Sequence, residues 1–309
     1  MDFSELTPQA QSFFEGKSYC GAIGMKYLLK PPKVYSRRSQ PLTACHVLFT
    51  APHRSSYSDM SFEMSPEDQW TARLSALAWR RYNGPIHLIT DPEGAEYIRK
   101  IGLDKVYDHI VDDLRDPYGL NQKKFWASGK LLALERLECP CMIIDMDLIV
   151  WQPLELTDAS LITAHREAIN EDFYPGKDYF IMSPRYCFPE DWNYTAEPLN
   201  TSVLYLNDQT LKDEYLKESF RFMQYERGTP DMGTLCMIFA EQRLLAICAD
   251  RLGIQPKTLL EYEKLPDTSG LITHTWNAKP LLRMEKELSE FFIHRCRELC
   301  RQFEQEAGI

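Results

Sequence analysis

The sequence predicts an α/β protein, with a mostly parallel sheet of Rossmann-like type flanked by helices and a smaller mixed C-terminal part. Three observations carry that prediction. Strand-length apolar runs alternate with amphipathic helical stretches from residue 45 to residue 150. Each strand-like run is closed by turn or helix-start residues, and no Gly/Ser linker, repeat or low-complexity tract interrupts the series. The strongest apolar run, Met142-Ile143-Ile144, directly follows a helical stretch, as the last strand of a βαβαβ series would.

Taken in order, residues 45–50 form the first strand candidate, bounded by Pro41 and by a loop over 51–56. Ser65-Pro66-Glu67-Asp68 combines an N-cap serine, proline at the first helical position and acids in the first turn. The helix it opens carries Trp70, Leu74, Leu77 and Ala78 on one apolar face. Residues 86–90 give a second strand closed by Asp91-Pro92-Glu93-Gly94, 95–101 a short helix ending at Gly102, and 106–111 a third strand. A helix is predicted over 123–137 ahead of the 142–144 strand. Beyond it, 161–164 and 202–206 read as strands, 212–226 and 232–251 as helices, and 280–305 as a long C-terminal helix. Residues 1–40 read as irregular. Segment 170–200, rich in aromatics, prolines and acids, reads as a lid or acceptor-site loop.

The 309 residues carry a formal charge of −10, which argues against general nucleic-acid binding because phosphates need a basic face. The longest apolar runs are strand-sized, so no integral membrane segment is expected. The acidic start Met1-Asp2-Phe3-Ser4-Glu5-Leu6 lacks a basic region followed by an apolar stretch, and a cytoplasmic location is expected. Nine cysteines, odd in number and mostly in apolar or helical contexts, read as buried thiols in a reducing compartment. Cys139-Pro140-Cys141 is too tightly spaced for the usual zinc pairs.

Asp145 and Asp147 end the 142–144 strand. Residues i and i+2 of an extended chain point the same way, so two carboxylates converge there. Such a pair is costly unless a cation neutralises it, and oxygen ligands suit Mn²⁺ or Mg²⁺. A pair of turn aspartates gives the same pattern. So does a dehalogenase-type phosphatase, although that pattern wants a small residue and then Thr after the pair, where Leu148-Ile149 stand. Asn200 and Ser202, entering the 202–206 strand, could bond sugar hydroxyls or simply shape a turn. Glu241, with Gln242 beside it, lies on an otherwise apolar helix and could face a reacting sugar or solvent. His274 at a strand end could complete the ligand set or be structural, and Lys279 could hold a diphosphate.

This combination resembles the GT-A fold glycosyltransferases, especially retaining enzymes of the family-8 type. Their pattern is an apolar strand ending in Asp-x-Asp, an Asn-x-Gly/Ser strand entry, and His-x-x-Gly-x-x-Lys-Pro near the C-terminus. Asp145 and Asp147, Asn200 and Ser202, and His274 with Lys279-Pro280 match in that order over roughly residues 45–280. The last motif is one residue short, and Asn277 stands where Gly is expected. Trp70, Tyr82, Leu88-Ile89-Thr90-Asp91 and Trp126-Ala127-Ser128-Gly129-Lys130, ahead of the aspartates, look like a bacterial branch of the superfamily.

The resemblance implies a GT-A domain over 41–280, with a nucleotide-binding half (41–155) and an acceptor or catalytic half (156–280), then a C-terminal helix over 281–309. It implies a metal-dependent transfer from a nucleotide-sugar, UDP-linked by expectation, to a glycan or glycoconjugate acceptor in surface polysaccharide synthesis. Asp145 would contact ribose or metal, Asp147 and His274 would bind the metal, and Thr50 and Ala51 would lie near the base. Lys130 would reach the ribose or phosphate, or be a solvated lysine. Glu241 would sit near the anomeric carbon. An inverting reaction would need Glu241 or Asp231 as base, whereas a retaining one would not. The alternatives are a sugar-nucleotide hydrolase or nucleotidyltransferase, and a non-catalytic glycan- or protein-binding domain. The nucleotidyltransferase reading lacks its Gly-rich loop, since Thr50-Ala51-Pro52-His53-Arg54-Ser55 contains no glycine.

Overall fold

The computed structural model describes residues 3–17, 22–34, 36–156, 158–262, 265 and 270–307. The strands are β1 (Ala44–Leu48), β2 (Ile86–Thr90), β3 (His109–Val111), β4 (Cys141–Ile144), β5 (Leu148–Val150), β6 (Leu161–Arg166), β7 (Leu199–Leu206), β8 (Lys257–Thr258) and β9 (Ile272–His274). The helices are α1 (Pro8–Phe14), α2 (Lys26–Leu29), α3 (Ala51–Ser56), α4 (Pro66–Tyr82), α5 (Pro92–Lys100), α6 (Ser128–Glu135), α7 (Gln209–Tyr225), α8 (Gly233–Ile238), α9 (Leu244–Arg251), α10 (Lys279–Met284) and α11 (Lys286–Ala307). Seven strands form one sheet in the order β3-β2-β1-β4-β7-β6-β8, and β5 pairs with β9 in a separate ribbon. The β3, β2, β1 and β4 strands are mutually parallel, β7 runs antiparallel between β4 and β6, and β8 is parallel to β6. The chain therefore has the α/β architecture with a mostly parallel sheet that its pattern predicts.

The sheet is buried on both faces because its strands are apolar at consecutive positions. Met142 and Ile144 join one core cluster and Cys141 and Ile143 the other; on β7, Val203 and Tyr205 divide in the same way from Leu204 and Leu206. Residues of α4 and α11 fill the first cluster, and those of α6, α7, α8 and α9 the second. Ser65 caps α4 by accepting from the Asp68 amide at 3.2 Å, and Asp91 caps α5 through the Gly94 amide at 3.0 Å.

Several boundaries differ from expectation. The 51–56 loop is a helix, α3. The third strand starts only at His109, because residues 104–106 close a 3₁₀ turn. The helix expected from 123 starts at Ser128, because the Asn121 carbonyl draws the Lys124 and Phe125 amides into turns at 2.9 and 2.8 Å. Residues 1–40 hold two short helices, and the C-terminal helix breaks at Glu285 into α10 and α11. Helical residues Pro230–Arg251 are long and apolar enough to cross a membrane by length and composition, which a search for strand-sized runs overlooks. In the fold 72% of that apolar window is buried inside the protein, as in a core helix. Eight cysteines are free thiols, six of them buried; Cys20 lies outside the described residues.

The N-terminal segment is tied to the ribbon. Ile23 and His274 exchange backbone hydrogen bonds of 2.9 Å in both directions. Gly24 follows at φ +65°, where an added Cβ would lie 2.1 Å from the Ile272 carbonyl oxygen. Gly102 shares a positive φ, but open space surrounds it. Gly24→Ala is expected to cost about 2 kcal/mol or more of unfolding free energy and Gly102→Ala about 1. Urea midpoints at unchanged slope measure both, and equal losses would show that the backbone contact at Gly24 is unimportant.

Candidate functional site

The site is built on the turn that links the two sheets. After Ile144 the Asp145 amide donates to the Ser202 carbonyl at 2.8 Å, and the Leu148 amide closes back on the Asp145 carbonyl at 3.1 Å. The Asp147 carbonyl accepts from the Thr275 amide at 3.2 Å. The aspartates thus lie in a tight turn rather than on a continuing strand, and the turn, not strand alternation, brings their carboxylates together. His274 arrives from β9, whose register sets it opposite Leu148. One ligand atom from each of Asp145, Asp147 and His274 lies within 4.8 Å of the others; this is the one such His/Cys/Asp/Glu group among the described residues.

Two lysines balance the pair. Lys130 of α6 lies 2.7 Å from Asp145 and 2.6 Å from Glu241, and Lys279 lies 2.9 Å from Asp147 and 3.2 Å from Asp68. Arg283, one turn further along α10, also pairs with Asp68. Burial opposes the charge on both lysines, but their carboxylate partners outweigh it and hold both ammonium groups above their ordinary range. Burial raises the Asp145 carboxyl against the pull of Lys130, with help from the Asp147 charge. Burial would raise Asp147 too, yet Lys279 and His274 hold it well below the usual carboxylate range.

These groups line a cavity of about 960 Å³ at the carboxyl ends of β1 and β4, the usual ligand position in such sheets. Asp145, Asp147, His274, Lys130, Lys279, Asn200, Ser202 and Glu241 all border it. Thr50 and Ala51 are not among its lining residues. Thr50 is wholly buried, with its hydroxyl 2.7 Å from Asp91 and 2.8 Å from Glu93, and Ala51 begins α3. Asp231 is exposed in a 3₁₀ turn and is not among the lining residues either.

Other roles are narrowed by internal bonding. The Asn200 carbonyl oxygen accepts from the Ser202 hydroxyl at 2.6 Å and its amide at 3.1 Å, and the Asn200 amide donates to Glu167 at 3.2 Å. Asn200 and Ser202 are therefore engaged with each other and with Glu167. Glu241 also accepts from the Thr201 hydroxyl at 2.6 Å. It lies in a π-helical stretch, Phe239–Arg243, between α8 and α9. Hydroxyls of Ser219 and Tyr215 on α7 take the Ala240 and Glu241 carbonyls there, at 2.8 and 2.7 Å.

Sequence reasoning missed several lining residues. Asp68 reads as an ordinary first-turn acid of α4; its pairing with Lys279 and Arg283 is tertiary. Trp126, Phe49, Phe62 and Trp276 supply aromatic walls. Glu167 also escaped notice. It is buried beneath Asn200, and burial pushes its carboxyl up to about 7 against the Asn200 bond and the His274 charge. Beneath the turn His46, kept neutral by burial, joins the Tyr107 and Ser75 hydroxyls at 3.0 and 3.1 Å, and Ser75 donates to the Leu148 carbonyl.

A model described as a family of unknown function (DUF6734) matches residues 58–281. A search of curated proteins finds no match. Among solved structures the chain is similar to the apo form of the glycosyltransferase GlyE of Streptococcus pneumoniae TIGR4, at 16% identity and TM-score 0.31, covering 66% of this chain and 44% of that one. It is similar to mouse xyloside xylosyltransferase 1 at 14% identity and TM-score 0.31, covering 66% and 84%. It is also similar to the galactosyltransferase LgtC with donor and acceptor sugar analogues, at 12% identity and TM-score 0.36, covering 64% and 70%. The chain spans less than half the length of the GlyE chain. Likenesses this weak decide nothing about chemistry, which rests on the side chains.

Two measurements probe the electrostatics. Lys130→Met leaves Asp145 and Glu241 without their shared cation and is expected to cost about 3–5 kcal/mol of stability in chelator. A loss under about 1 kcal/mol would mean that the pairing is solvent-screened. Glu167 holds a proton in the folded state that the unfolded chain releases near pH 4.5, so its contribution is present below that pH and lost as pH rises toward 7. Glu167→Gln is therefore expected to gain on the wild type by about 2–3 kcal/mol between pH 4.5 and 7. A flat difference would show that Glu167 ionises as in the unfolded chain.

Proposed function

The chain belongs to DUF6734, a family of unknown function, and from its cavity we propose a metal-dependent glycosyltransferase acting on a nucleotide-sugar, with UDP as the leading nucleotide. One observation carries the reading: two carboxylates and an imidazole converge at the carboxyl end of β4, on the wall of a cavity large enough for such a donor. Two carboxylate oxygens and one ring nitrogen suit a divalent ion such as Mn²⁺ or Mg²⁺ and leave positions open for other ligands. Bound there by Asp145, Asp147 and His274, the ion would supply positive charge to a leaving diphosphate.

The remaining roles belong to this chain's own groups. Lys279 and Arg283, both on the cavity side of α10, offer point charge and a planar fork to phosphate oxygens. Asp68 holds both cations in place until the ligand competes for them. Lys130 keeps Asp145 oriented, and Glu241 with Thr201 keeps Lys130 in position. Glu241 is thus a positioning group for Lys130, and Asp231 is too exposed to act as base. The nucleotide is placed against the aromatic wall of Phe49 and Phe62, in the 41–155 half, rather than at Thr50 and Ala51. The acceptor, a glycan or glycoconjugate of a cytoplasmic surface-polysaccharide route, enters from the 156–280 half.

The test is thermal unfolding with UDP, GDP or CMP, with and without Mn²⁺. A nucleotide at 100 times its dissociation constant adds about 2.7 kcal/mol, so the expected result is a clear rise for one nucleotide only when metal is present. Asp147→Ala should abolish it. No rise with any pair, or a rise unchanged in Asp147→Ala, would overturn the proposal.

A further inference from the structure

Trp276 is the one non-glycine residue with positive φ among the described residues, at φ 37°. L-residues reach that region only with strain, and an indole gains nothing from it locally. The strain is imposed from both sides. The Thr275 amide is bonded to the Asp147 carbonyl, and the Ala278 amide closes on the Thr275 carbonyl at 2.7 Å. The chain must therefore turn at 276 to bring His274 and Lys279 to the same turn of aspartates. Glycine would make that turn without strain.

The indole packs in part against the first core cluster, yet core packing alone does not account for its position. It is half-buried and borders the cavity. Its ring lies parallel to His274, at 4° and 6.1 Å between centroids, and 5.6 Å from His165. Gln242 also borders the cavity, and its carbonyl oxygen accepts from the Tyr174 hydroxyl at 2.6 Å. A flat apolar face beside polar groups matches a pyranose, which has an apolar C–H face and hydroxyls around its edge. A nucleobase would have its own aromatic wall at Phe49 and Phe62, near the end of β1.

We propose that Trp276 is the platform for the sugar moiety of the donor, a specificity determinant held in strained backbone beside the metal-ligating His274. This rests on the nucleotide-sugar reading above. The test compares UDP with UDP-hexoses by calorimetry in Mn²⁺, for wild type, Trp276→Phe and Trp276→Gly. Glycine suits the backbone, so the variant is expected to fold, with relieved strain offsetting part of the packing that the indole gives up. Trp276→Gly should bind UDP within about threefold of wild type but lose about tenfold in the extra affinity that the hexose confers, and Trp276→Phe should keep most of it. Equal UDP-hexose affinity in wild type and Trp276→Gly would overturn the platform. So would an equal loss for UDP alone, which would make the indole a base or phosphate contact. A wild type that binds UDP but gains nothing from any hexose also overturns it while leaving nucleotide binding intact. A wild type that binds no nucleotide fails at the earlier step.

Discussion

Two carboxylates in one tight turn, largely withdrawn from solvent, repel each other and lose hydration; the turn is tenable only if positive charge is brought to it. The rest of the molecule can be understood as the means of delivery. Lys130 comes from α6 on one face of the sheet and Lys279 from the helix that follows β9, while His274, at the end of that ribbon strand, sets its ring beside Asp147. Each lysine reaches one carboxylate of the pair and is steadied by a further acid: Glu241 for Lys130, Asp68 for Lys279. Without a bound ion the acids are already neutralised in part, so a divalent cation would enter a site whose residues are held in position rather than one that must collapse around it.

The same economy explains the polar groups around the turn. Asn200 and Ser202 use much of their bonding capacity on each other, which shapes the entry of β7 and fixes the carbonyl that receives the Asp145 amide. Glu167 secures the far side of Asn200. The π-helical stretch alters the helical repeat where Glu241 must reach Lys130, and two hydroxyls of α7 take carbonyls in it. These side chains act through backbone placement, while the aromatic walls and the two cations of α10 face the cavity.

What could be read in the sequence was what local pattern controls. Apolar runs alternating with helical stretches gave the sheet, Ser65-Pro66 gave the start of α4, and Asp145, Asp147, His274 and Lys279, each at the edge of a regular element, border one cavity. Thr50 and Ala51 are not among the cavity-lining residues because the chain turns into a helix after β1, which draws Thr50 under Asp91 and Glu93. Asp231 is exposed and not among the lining residues, although Thr234 three residues on is, and such a difference leaves no mark in sequence. Glu241 lines the cavity, but its partner Lys130 lies more than a hundred residues away, beyond the reach of local pattern. Asp68 and Trp276 carry no local sign at all: one depends on a tertiary ion pair, the other on a backbone angle.

The ribbon of β5 and β9 joins residues 148–150 to 272–274, and the segment around Ile23 adds itself to β9. The carboxylate turn is therefore complete only when the segments around Ile23 and His274, distant in sequence, have come to it. Closures of that length form late, because their entropy is lost before their contacts are made. During synthesis the first four strands of the sheet can assemble while the aspartates still lack His274 and Lys279. The side chains of this turn are then assembled only after β9 and α10 have docked, so a complete cavity wall reports that residues 272–284 are in place.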